Sequence, residues 1–232
     1  MNNEIINIVW LAFSFLALFA FAEILYHYFK IQVEYTRKTV HFGTGIITLL
    51  FPIFLNSHWS VLFLCGSFAL ILSLSLKYNL LKSINAISRN SWGSLLYPLS
   101  VYGTFLFFLL FKINESRVGY LFYYLPILML AVCDPIAALF GKRFPFGKFK
   151  IGDGHKTVTG CLAFFISAFL LTLIVFHFFV PNMPINWITL LYYFAIALFA
   201  TITEAISSRG IDNLSIPLSV MLILFFTQWL TA

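Results

Sequence analysis

Apolar runs long enough to cross a bilayer follow one another along almost the whole chain, which leaves few architectures open. A spanning helix needs about 20 mostly apolar residues, and such runs lie near 5–29, 38–55, 59–77, 93–111, 119–140, 157–180, 186–205 and 214–231. Spanning strands would alternate apolar and polar residues in segments of about 10, whereas these runs are apolar on all sides. Charged residues make up only 9% of the 232, against roughly 25% in a soluble domain, so the chain cannot cover a water-facing surface. The expected fold is therefore all-α: a polytopic transmembrane helical bundle of about eight spans (seven to nine), forming a single integral membrane domain over 1–232. The segment 79–91 is too short to cross and reads as a helix lying in the interface.

Charge then orients the bundle. With eight spans, the first, third, fifth and seventh connections share a face. Together with the adjoining helix ends they carry Lys30, Arg37, Lys38, Lys77, Lys82, Arg89, Lys142, Arg143, Lys148, Lys150, Lys156 and Arg209, which is 12 of the 14 basic residues. The opposite face keeps Lys112 and Arg117. Cytoplasmic loops carry the Lys/Arg excess, so this face is expected in the cytoplasm and both termini outside. Small size and bare termini point to a bacterial inner membrane. Anionic lipid headgroups account for part of a basic face; a polyanionic substrate such as a nucleotide accounts for it too. Nothing suggests nucleic-acid binding. Cys65, Cys133 and Cys161 form no CxxC pair and read as small buried hydrophobes.

Ionisable groups inside or beside spans are costly and hence functional candidates, and they fall in four groups on the basic face, near 30–41, 78–94, 134–157 and 204–214. In Arg37-Lys38-Thr39-Val40-His41-Phe42-Gly43-Thr44-Gly45, positions 37, 41 and 45 share one side of a helix. Positive-inside anchoring is the plain alternative, although a histidine entering a span needs a polar partner. Ser91-Trp92-Gly93-Ser94 before Tyr97-Pro98 allows close backbone approach, or simply starts a helix. Asp134 sits one helical turn inside the apolar edge. It is followed by Gly141-Lys142-Arg143, Gly147-Lys148 and Gly152-Asp153-Gly154-His155-Lys156-Thr157. Carboxylates suit hard cations such as Mg²⁺ that also bind substrate phosphates. Glycines let backbone N–H groups near phosphate oxygens while lysine supplies charge, although the Walker A spacing is absent. Glu204 ends the seventh run, and Asp212-Asn213 opens the eighth, where either residue is also a good helix cap. Carboxylates, a basic glycine-rich loop and an Arg/His pair at one membrane surface suit metal-assisted chemistry on a phosphate-bearing substrate.

The motifs resemble those of the CTP-dependent membrane lipid-alcohol kinases: dolichol kinase, phytol kinase and the CTP-dependent diacylglycerol kinase, which are related to the phosphatidate cytidylyltransferases. The matching residues are Arg37-Lys38-x-x-His41-x-x-x-Gly45, Gly93-Ser94-x-x-Tyr97-Pro98, Asp134-Pro135-x-Ala137-Ala138-x-x-Gly141-Lys142, Lys156-Thr157-x-x-Gly160, and Glu204 with Asp212-Asn213-x-x-x-Pro217-Leu218. The resemblance implies transfer of the γ-phosphoryl group of CTP to the hydroxyl of a polyprenol, phytol or diacylglycerol, with Mg²⁺ or another divalent cation. It implies Asp134, Glu204 and Asp212 as metal or catalytic carboxylates. It implies Arg37, Lys38, Gly141, Lys142, Lys148, Lys156, Thr157 and Asn213 as nucleotide or phosphate contacts. His41, Asp134 and Glu204 all remain open as acceptor of the hydroxyl proton. Where many members carry Glu-Gly-Ser, this chain has Thr159-Gly160-Cys161, one carboxylate fewer. A cytidylyltransferase is the alternative activity, but the Asp-Arg-x-x-x-Asp-like run of those enzymes is absent. A transporter or lipid binder is the other alternative, but a transporter site is expected near mid-membrane.

Overall fold

A computed structural model describes residues 2–86, 91–111, 118–152 and 154–227. Arg89, Lys112, Arg117 and Asp153 lie outside the described residues, as does the last part of the eighth expected run. The chain forms a helical bundle of a polytopic membrane protein. In order it runs α1 (Asn2–His27), α2 (Val33–Thr48), α3 (Phe51–Phe54), α4 (His58–Lys77), α5 (Lys82–Asn85), α6 (Gly93–Phe111) and α7 (Val118–Leu128). A π-helical turn (Met129–Cys133) then leads directly into α8 (Asp134–Arg143). Strands β1 (Lys148–Ile151) and β2 (Gly154–Thr157), then α9 (Val158–Phe179), α10 (Trp187–Ile206) and α11 (Asp212–Thr227), complete the order.

Among the described residues, six helical stretches are long and apolar enough to cross a membrane: Asn3–His27, His58–Lys77, Gly93–Phe111, Gly119–Arg143, Val158–Phe179 and Trp187–Ile206. Two of the eight expected spans are shorter. The described part of the last is Asp212–Thr227, and the second, expected over 38–55, is α2 followed by a bend at Leu49–Leu50 and then α3. Proline explains the bend. Pro52 has no N–H to give the Thr48 carbonyl, and the Tyr123 hydroxyl donates to that carbonyl instead, at 2.7 Å. A backbone group orphaned in hydrocarbon must find such a partner.

Phe105, Phe108, Phe122 and Tyr123 are fully buried where α6 meets α7. Trp10, Phe13, Phe63, Leu170 and Phe178 point outward and exposed, as lipid-facing side chains do. At one end Glu4 of α1 accepts from the Ser57 N–H (3.1 Å), the Asn56 N–H (3.3 Å) and the Ser60 hydroxyl (2.8 Å). This clasp ties the start of α1 to the start of α4. Among the described residues of 79–91, expected as an interfacial helix, the helical part is the single turn α5. Thr36 donates to the Ser83 carbonyl at 2.6 Å and fixes that turn to α2.

The basic glycine-rich stretch is not a loop throughout. Lys148 pairs with Thr157 and Lys150 with His155 in a two-stranded antiparallel hairpin. Its sequence signal is the alternation Lys148-Phe149-Lys150-Ile151 followed by a glycine-bounded turn.

Candidate active site

The first half of the site forms where α2 meets the π turn. A Cβ at Gly45 would lie 2.1 Å from the Ala131 Cβ, so only glycine allows this approach. The π turn follows from Pro135. The Asp134 N–H bonds to the Met129 carbonyl, five residues back. The next carbonyl, that of Leu130, faces a proline nitrogen and has no backbone donor. His41 Nε2 supplies one at 2.9 Å. Since a carbonyl only accepts, Nε2 carries the proton. The same nitrogen lies 3.6 Å from Asp134 Oδ2, and the Tyr97 ring stands edge-on to the imidazole at 5.0 Å. Lys38, three residues before His41, donates to Asp134 Oδ2 at 2.5 Å. Thus Lys38, rather than Arg37, shares Asp134 with His41. Arg37 lies 3.9 Å from Glu34 and lines the same cavity.

The second half joins β2 to α10. Lys156 donates both to Glu204 Oε1 and to the Glu204 main-chain carbonyl. Its ammonium therefore caps the last turn of α10 and also offsets a carboxylate that faces the negative end of the helix dipole. Glu204 Oε2 is buried and has no hydrogen-bond partner among the described residues. Next to Lys156, Thr157 caps α9, its hydroxyl accepting from the Gly160 N–H at 3.0 Å. A Cβ at Gly141 would sit 2.6 Å from the Thr157 hydroxyl, and one at Gly160 would sit 3.0 Å from the Ala137 carbonyl. Gly141 and Thr157, expected as phosphate contacts, thus have packing and capping roles where α8 crosses α9.

The remaining motifs meet at the start of α6. The Trp92 N–H donates to the Arg209 carbonyl at 2.8 Å, and Asn213 Nδ2 donates to the Gly93 carbonyl at 2.8 Å. Gly210 has φ +82°, and a Cβ there would lie 2.4 Å from the Gly93 nitrogen. Asn213 is therefore a clamp between α6 and α11. Asp212 Oδ1 accepts from the Asn213 N–H at 3.0 Å. Lys142 and Lys148 are exposed, with the Lys142 ammonium 4.8 Å over the Tyr35 ring. Tyr35 was not singled out from sequence, although it sits three residues before Lys38 on the same helix.

All the site residues expected from sequence line one cavity of about 1520 Å³. Its charged half holds the Lys38–Asp134 and Lys156–Glu204 pairs. The other half is apolar, walled by α1, α2, α3, α4 and α6 with Phe15, Phe19, Phe51, Leu64, Phe68 and Leu72. Neither pair is freely solvated: the side chains are 17% and 8% exposed for Lys38 and Asp134, and 18% and 8% for Lys156 and Glu204. Removing two charges from water costs several kcal/mol per ion, so such pairs are weak devices for stability alone.

No protein-family model and no solved structure matches the chain. Curated relatives do. A phytol kinase of Synechocystis sp. is 29% identical over 99% of this chain and 97% of its own length. Probable phytol kinase 1, chloroplastic, of Glycine max is 28% identical over 85% of this chain and 68% of its own. A probable phytol kinase, chloroplastic, of Zea mays is 29% identical over 84% and 67%. The chain is thus similar over nearly its whole length to membrane lipid-alcohol kinases. The stretch shared with the cyanobacterial relative spans every motif from Arg37 to Leu218.

For a lipid-alcohol kinase the question of a metal follows directly. Among the described residues no three His, Cys, Asp or Glu side chains come together as a metal-holding group. Asp134, Glu204 and Asp212 therefore do not form the ready-made ligand trio expected from sequence. Each carboxylate already has a protein donor: Lys38, Lys156 and the Asn213 N–H respectively. The donor set still fits a divalent cation. Mg²⁺ commonly takes one or two carboxylates and completes its shell with water and substrate phosphates, and the unpartnered buried oxygen of Glu204 belongs to a cavity-lining residue.

Proposed function

We propose that the chain transfers the γ-phosphoryl group of CTP to the hydroxyl of a membrane lipid alcohol, giving a lipid phosphate and CDP. Its catalytic face, built from the segments near 30–41, 78–94, 134–157 and 204–214, turns to the cytoplasm of a bacterial inner membrane. The observation that carries this reading is the single cavity that joins two lysine–carboxylate pairs to an apolar lobe. A triphosphate needs the first and a hydrocarbon acceptor the second. The phytol kinase relatives favour a prenyl alcohol as acceptor. The choice of CTP rests on the motif resemblance.

In this reaction the acceptor oxygen bonds to the γ-phosphorus, the bond from that phosphorus to the β–γ bridging oxygen breaks, and CDP departs. Charge spreads over the transferring group, so positioning and cations do most of the work. Lys38 and Lys156 exchange their carboxylates for phosphate oxygens, with Lys142 and Lys148 drawing the nucleotide in at the mouth. A divalent cation, held by Asp134 and Glu204, would neutralise the phosphates as the bond breaks. His41 Nε2–H is committed to the Leu130 carbonyl. That leaves its Nδ1, Asp134 and Glu204 as the groups to take the hydroxyl proton. Asn213 acts by fixing α6 against α11, beside the nucleotide.

The test is one assay. Purified protein receives CTP, ATP and GTP in turn, with phytol, a long polyprenol or diacylglycerol, and both nucleotide and lipid products are resolved. CDP and a prenyl phosphate are expected. Pyrophosphate release would assign cytidylyl transfer instead, and no nucleotide consumption with any acceptor would overturn the reading.

A further inference from the structure

The apolar half of the cavity has a definite end. On α2 the lining residues descend from His41 through Thr44 to Thr48 and on to Phe51 of α3. At 1.5 Å per residue, Thr48 lies about 10 Å beyond His41. On α4 the lining descends from Leu76 to Leu64, and on α1 it stops at Phe15. One turn further, Leu11, Leu55 and Val61 are buried but face no part of the cavity. The end is made of rings that hold one another. Phe15 meets Phe51 edge-on at 6.2 Å and meets Phe68 at 4.7 Å, and Phe51 is 1% exposed. Thr48 does not interrupt the apolar wall, because its hydroxyl donates to the Gly45 carbonyl at 2.8 Å.

Building on the lipid-alcohol kinase reading, we propose that this lobe is a blind chain pocket. Phe15, Phe51 and Leu64 form its floor and set the longest straight acceptor chain that can place its hydroxyl beside Asp134. The occupant is the acceptor's own hydrocarbon tail, because the lobe is continuous with the charged site and its lining offers the tail rings and aliphatic chains. A chain that fits gains dispersion contact along its length. A chain that is too long must buckle or withdraw its hydroxyl from the carboxylates.

The experiment uses straight-chain primary alcohols of increasing length with CTP and the intact protein in detergent. In the wild type kcat/KM is expected to rise roughly fourfold per methylene, as burial of each group dictates, up to a break, and then to fall. Phe15→Ala and Phe51→Ala should move the break to longer alcohols, Leu64→Phe should move it to shorter ones, and the KM for CTP should stay constant in all three. Because these variants act in opposite directions, lost stability cannot mimic the pattern. A break that stays put in every variant that turns over short alcohols overturns the proposal. A second arm needs no turnover: a radiolabelled alcohol with a terminal diazirine is photolysed in the wild-type protein. Label on the peptides holding Phe15, Phe51 or Leu64 supports the pocket; label elsewhere, or none, overturns it. Label at the floor without lipid phosphate from any alcohol would sink the kinase reading and leave the pocket standing.

Discussion

Deleting Lys38 should harm folding more than deleting Lys38 and Asp134 together. The Asp134 side chain is 8% exposed and accepts from Lys38 at 2.5 Å. Lys38→Met leaves that carboxylate buried beside His41 alone. Breaking a buried pair from one side costs about 3–5 kcal/mol, and His41 at 3.6 Å places this case near the lower end, at about 3 kcal/mol. Asp134→Leu leaves an ammonium on a long stem that can turn into the cavity, so its cost is smaller, about 1–2 kcal/mol. The double variant puts two apolar side chains where the pair was and should come within about 1 kcal/mol of wild type. The coupling between the positions is then about 3–5 kcal/mol in magnitude. Stability would be read from reversible unfolding in mixed micelles, and turnover from CDP release; all three variants should be inactive. A double variant that loses as much as the two singles combined would refute the pairing argument. Wild-type turnover in any variant lacking Asp134 would remove that residue from the chemistry.

Four further outcomes are expected. Gly45→Ala should cost about 1–3 kcal/mol through overpacking against Ala131, and adding Ala131→Gly should recover most of it in a thermal melt. His41→Phe leaves the Leu130 carbonyl unpaired and should cost about 1–3 kcal/mol, whereas His41→Gln, which keeps a donor, should melt closer to wild type. Glu204→Gln should lower turnover by about 100-fold or more with the melting temperature nearly unchanged, since an amide oxygen still accepts from Lys156. EDTA should stop CDP release and added Mg²⁺ restore it; full activity in the chelator would rule out the cation.

Much of the bundle was legible because span-length apolar runs have few alternatives. The second run misled by position: α2 begins at Val33 because its polar residues face a cavity rather than lipid, and a hydropathy window counts them against a span. That the expected site residues would line one cavity was legible as well, since charged residues in an apolar chain gather away from lipid. Their partners were not. Lys38 and Asp134 are 96 residues apart, and nothing local says that Lys38 rather than Arg37 faces the carboxylate. The role of His41 depends on Pro135, which orphans one carbonyl on a different helix. Gly141 and Thr157 look in sequence like a phosphate cradle, yet their spacing serves the crossing of α8 and α9 just as well. The hairpin was missed: its Lys-Phe-Lys-Ile alternation lies among glycines and charges that read as a loop.

The clasp that Glu4 makes with the turn before α4 has a bearing on the living membrane. A water-filled void of this size, left open at both ends, would short-circuit the ion gradients that the bilayer insulates. Here the rings of Phe15, Phe51 and Phe68 close the far end, with the Glu4 clasp beyond them, so the protein hollows out part of the barrier's thickness without ever becoming a leak.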